Sequence, residues 1–128
     1  MTHDSARPYS RFGRIAATIP VSDMQAAREF YVGALGFDIR FENGDPVGFA
    51  ILQRDDAELH LTLQHDFKPA KYNVAHLIVE GVDMLHETIR EYGCRIVKGM
   101  RYQDYGLRAF VFEDPFGNRI DVGEKMSA

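Results

Sequence analysis

Tryptophan is absent from this chain, and cysteine occurs once, at Cys94. A single thiol closes no internal disulfide and supplies no cysteine-based metal site. Cys94 follows Gly93 and precedes Arg95-Ile96-Val97, so the expectation is a half-buried thiol at a strand entry, not a nucleophile. No apolar run approaches the ~18 residues of a membrane-spanning helix. The opening stretch, MTHDSARPYSRFGR, is polar and holds Pro8, so neither a signal peptide nor an anchor is expected. An excess of positive charge is also missing. Fifteen Lys+Arg against 19 Asp+Glu leave a formal net charge of −4, which argues against a nucleic-acid partner and suits a cationic or neutral ligand. No Ser/His/Asp order, phosphate loop or dinucleotide fingerprint is present. What is present is ordinary for one globular domain: 128 residues, 45% hydrophobic and 12% aromatic. A chain of that length buries roughly two-thirds of its unfolded surface and needs no staples. A cytoplasmic enzyme or binding protein is the expectation.

The chain reads as two similar halves. Val21-Ser22-Asp23-Met24 and the strand before it align with the segment ending Val82-Asp83-Met84, at an offset of 60 residues. Gly48-Phe49-Ala50-Ile51-Leu52 through Leu63 aligns without a gap to Leu107-Arg108-Ala109-Phe110-Val111 through Val122, at an offset of 59. Each half reads strand, helix, then three strands. In the first, Ile15 to Ile19 form a strand, and Ser22-Asp23-Met24-Gln25 makes a capping box. Ala27, Phe30, Tyr31, Ala34 and Leu35 then recur at helical spacing until Gly36. Residues 37–42 alternate as a strand, and 47–53 and 57–64 follow. In the second half, strands over 74–79, 95–98, 107–113 and 119–124 surround a helix over 82–92. The expected fold is α+β, a single domain of two βαβββ units, about 14–64 and 73–124, with tails at 1–13 and 125–128. Their strands form a curved, mixed and antiparallel-rich sheet around a cup, with helices on its outer face.

Alternation assigns side chains to faces. Leu59, Leu61 and Leu63 share one face of their strand, opposite Glu58, His60 and Thr62. Ile120 and Val122 lie opposite Asp121, and Ala75 and Leu77 opposite His76. The polar sets meet solvent or line the cup.

Two segments carry a family likeness. Val21-Ser22-Asp23-Met24, the helix with Phe30-Tyr31, and Leu35-Gly36-Phe37 resemble the opening of glyoxalase/bleomycin-resistance/dioxygenase (vicinal oxygen chelate) proteins. Asp114-Pro115-Phe116-Gly117-Asn118-Arg119-Ile120-Asp121 is similar to that family's closing hairpin. In its metalloenzymes the ligand positions would correspond here to Ala16, Thr62, His76 and Asp121. His76 and Asp121 are sound ligand types, but Ala16 has no donor and Thr62 is a poor one. His60 could serve as a displaced third ligand only in a distorted cup. The resemblance therefore implies a metal-free, cofactor-free member, closest to the bleomycin-resistance type, for which Phe49-Ala50-Ile51-Leu52-Gln53-Arg54 is a further match. Such proteins sequester a drug at a dimer cleft, so the expected partners are a second copy and an aromatic small molecule, cationic or neutral. The residues assigned to the ligand are Phe49, His60, Thr62, His76, Tyr105, Arg108, Phe110, Phe112 and Asp121. The alternative is a metal-dependent lyase, thiol transferase or dioxygenase using His76, Asp121 and one unrecognised ligand.

Overall fold

The computed structural model describes residues 10–103 and 106–126. Strand β1, Ala17–Val21, leads to helix α1, Met24–Arg28, which widens into a π-helical stretch, Glu29–Ala34. Strands β2 (Asp38–Asn43), β3 (Phe49–Arg54) and β4 (Ala57–Leu63) complete the first unit. The second unit runs β5 (Asn73–Ile78), α2 (Val82–Tyr92), β6 (Ile96–Tyr102), β7 (Leu107–Glu113) and β8 (Arg119–Lys125). The two βαβββ units are thus as expected. Their strands form two four-stranded sheets rather than one, in the orders β1-β4-β3-β2 and β5-β8-β7-β6. In each sheet the first strand pairs in parallel with the last, and the other pairings are antiparallel.

Local chemistry explains the helix ends. The N-cap of α1 is Asp23, not Ser22. Its extended backbone lets its carboxylate accept from the Ala26 N–H at 3.0 Å. Helix α2 has no side chain of its own at the cap position, Gly81. Glu124 of β8 takes that role, accepting from the Gly81 and Val82 N–H groups at 3.2 and 3.0 Å. Gly93, at φ 95°, then stops α2 in a left-handed turn.

One core joins both units. It takes Ile19, Leu52, Leu59 and Leu61 from the first sheet, Phe30 and Tyr31 from α1, Val82 and Ile89 from α2, and Phe110, Phe112, Ile120 and Val122 from the second. A polar clamp lies beside this core. The Tyr31 hydroxyl donates to Asp114 Oδ2 at 2.7 Å, and Asn118 Nδ2 donates to the Pro20 carbonyl at 2.8 Å. Asp114 also accepts from Asn118 Nδ2 and from the Phe116 and Asn118 backbone N–H groups. The Asp-Pro-x-Gly-Asn hairpin is therefore bonded to the first unit at two points. Burial raises the Asp114 carboxyl above its ordinary value of 3.8, although all four donors favour the charged form.

Candidate functional site on the open sheet faces

The sheet faces turned away from the core are where polar and aromatic side chains gather. On the first sheet, strand period two sends Leu59 and Leu61 into the core and leaves Glu58, His60 and Thr62 on the open face. Register places Thr18 and Ile51 on either side of His60, and Phe49 beside Thr62. The Phe49 ring stands edge-on to His60 with centroids 5.5 Å apart, and Phe41 stands edge-on to Phe49 at 6.4 Å. These three rings form a row across β2, β3 and β4. Glu58 Oε2 lies 2.7 Å from His60 Nε2, and Arg14 binds the other oxygen of Glu58 at 2.8 Å.

Phe41 was missing from the sequence-derived set. Strict alternation puts Phe37, Ile39 and Phe41 on one face, but the pairing slips between Ile39 and Phe41. Phe37 is buried against Tyr31, and Ile39 pairs with core-facing Leu52. The bulge at Arg40 turns Phe41 over to pair with Ile51 on the open face, where it is 50% exposed. The run of polar and apolar letters carries no mark of that extra residue.

On the second sheet, His76 and Asp121 are direct partners across β5 and β8, with Nδ1 to Oδ2 at 2.9 Å. Asp121 is 9% exposed, and its other oxygen, Oδ1, is buried without a partner. Val111 pairs with Asp121 as Ile51 pairs with His60. In the first sheet Thr18 is the direct partner of His60, as His76 is of Asp121 in the second.

Three expected ligand contacts are placed elsewhere. Phe110 and Phe112 are 0% and 1% exposed, in the core. Phe112 packs near Phe30, and Phe110 stands edge-on to His86 of α2. Arg108, on the same face, is held by Asp83 of α2 and lies over the Tyr102 ring. The reason is register. The gap-free alignment matched Phe49 to Arg108 and Ile51 to Phe110, whereas Phe49 and Ile51 pair with the open-face residues Thr62 and His60 and Phe110 pairs with core-facing Val122. A slip of one residue exchanges the two faces of a strand. Tyr105 lies outside the described residues. Thr62 is on the open face, accepting from Gln64 Nε2 at 3.3 Å.

The Glyoxalase/Bleomycin resistance protein/Dioxygenase superfamily model matches residues 11–122. The chain belongs to this superfamily. A superfamily member from Sphaerobacter thermophilus DSM 20745 is 30% identical, with 89% of this chain and 98% of that one covered and a TM-score of 0.75. The antibiotic-binding protein TnmS3 from Streptomyces sp. CB03234 is 25% identical, with 91% and 99% covered and a TM-score of 0.73. A bleomycin-binding protein solved with bleomycin shares the fold at 20% identity, 90% and 100% covered, with a TM-score of 0.72. No curated protein matches this chain.

The metal of the superfamily's metalloenzymes finds a poor donor set here. Ala16 has no donor, Thr62 offers only a hydroxyl, His60 turns its Nε2 to Glu58, and His76 and Asp121 bond to each other. Among the described residues no group of three or more His, Cys, Asp or Glu side chains converges. A catalytic metal normally takes three protein donors. The residues present do not fit it.

Proposed function

We propose that this superfamily member is a binding protein of the antibiotic-binding type that holds a planar aromatic small molecule without a metal ion. The observation that carries the reading is the row Phe41–Phe49–His60 on the open face of the first sheet. Aromatic rings on an exposed sheet face offer apolar contact to a planar ligand. The 25% identity to an antibiotic-binding protein supports the same reading. A second copy of the chain completes the cleft. Phe12, Ile15 and Phe41 are 94%, 97% and 50% exposed, and β2 is exposed along its whole length, as an unmet partner surface would be. No helix among the described residues is long and apolar enough to cross a membrane, and the place of action proposed is the cytoplasm.

Calorimetric titration with bleomycin and with 2-naphthol tests the reading. Saturable binding is expected for at least one of them, weakened about fivefold to tenfold by Phe49→Ala, as loss of ~1 kcal/mol of aromatic contact predicts. Absence of saturable binding to both, or affinities untouched by Phe41→Ala and Phe49→Ala alike, refutes it. Stoichiometric metal in protein purified without chelator overturns the metal-free part. A monomer by light scattering at micromolar concentration overturns the shared cleft.

A further inference from the structure

We infer that His76 serves as a fixed hydrogen-bond acceptor for the ligand, its polarity set by Asp121, so that the preferred ligand carries a phenol-like O–H or a ring N–H. The inference rests on the reading of the open faces as the ligand surface and adds to it the chemical class of the ligand. Asp121 Oδ2 stands 2.9 Å from His76 Nδ1, and the two residues are direct cross-strand partners. A carboxylate accepts and does not donate, so Nδ1 carries the proton and Nε2 of the neutral ring keeps its lone pair. Nε2 has no partner among the described residues, and the His76 side chain is 44% exposed. The Asp121 side chain is 13% exposed, and its Oδ1 is buried without a partner. Nothing beside His76 therefore competes for the Asp121 carboxylate, and the ring is held in one orientation. Strand β5 touches β1 of the first sheet, and His76 lies on the open face of the second. The scheme places the ligand's donor on that open face, against the exposed Nε2 of His76. Asp121 is a positioning residue in this scheme and does not touch the ligand.

Two measurements test this. The first needs no ligand: two-dimensional nitrogen–proton spectra of the histidine rings in the full chain at pH 8, with His76 assigned by His76→Phe. The expected signature is a proton on Nδ1 and a bare Nε2, moving toward a mixture or the opposite tautomer in Asp121→Asn. A proton on Nε2 in the unmodified chain, or a tautomer indifferent to Asp121→Asn, overturns the inference. The second compares 2-naphthol with 2-methoxynaphthalene, which has the same rings but no donor. The naphthol should bind about fivefold to tenfold more tightly, the contribution of one hydrogen bond. That ratio should fall to about one in both His76→Phe and Asp121→Asn. A ratio near one in the unmodified chain, or a ratio preserved in both variants, overturns the inference. If neither naphthalene nor bleomycin binds, the ligand-surface reading fails, and the tautomer result alone decides the polarity of the His76–Asp121 pair.

Discussion

Replacing Tyr31 by Phe removes one oxygen from a ring that is 1% exposed, so the packing of that ring is kept and the clamp alone is tested. The hydroxyl donates to Asp114 Oδ2 at 2.7 Å. After its removal Asp114 keeps Asn118 Nδ2 on the same oxygen at 2.9 Å, and two backbone N–H groups on the other at 2.9 and 2.8 Å. A hydrogen bond to a charged group contributes ~1.5–3 kcal/mol, and with three donors remaining the expected loss at pH 7 is ~2 kcal/mol. For a domain of this size that lowers the melting midpoint by about 6–8 °C. The pH dependence has a definite sign. Burial, the largest cause, raises the Asp114 carboxyl in the folded state, while the Tyr31 hydrogen bond pulls it down. Its contribution to stability is therefore full below the unfolded value and is lost as pH rises through the folded one. Tyr31→Phe raises the folded value further, so the variant loses more across that window. The gap between the two proteins should be widest at pH 7 and shrink to ~1 kcal/mol or less near pH 3.5, where the bond joins neutral groups. Urea unfolding followed by far-ultraviolet circular dichroism at both pH values measures it. A gap under ~0.5 kcal/mol at pH 7, or one that widens on acidification, refutes the reasoning.

Phe110→Ala should cost ~3–5 kcal/mol in urea unfolding, because a fully buried ring leaves a cavity; a near-neutral variant with weakened ligand binding would return Phe110 to the open face. Gly117→Ala should cost ~1–3 kcal/mol by the same assay, since φ there is +90° and a Cβ would stand 2.8 Å from Pro69 Cγ. An unchanged midpoint would show that the hairpin relaxes freely. The Cys94 thiol is pushed up to about 11, first by burial and second by the Asp114 charge, against an ordinary 9.0. Iodoacetamide labelling at pH 7.5 should run about a hundredfold slower than in the urea-unfolded chain, and equal rates would contradict its half-buried placement.

What the amino-acid sequence determined by itself was whatever depends on neighbours along the chain. Helical spacing up to Gly36 and Gly93 marked both helices. The alternation of residues 57–63 placed Leu59 and Leu61 in the core and His60 opposite them. The order of elements and the closing hairpin were legible for the same reason. Pairing between strands was not, because it is settled by which core side chains pack together across segments far apart in sequence. The loop after β7 holds five residues and the one after β3 holds two, an odd difference, and Arg40 bulges out of β2. Each shifts the register by an odd number of residues. In a structure of period two, a single residue decides which face a side chain takes. Tertiary pairing therefore moved Phe110, Phe112 and Arg108 to the core side and brought Phe41 onto the open face.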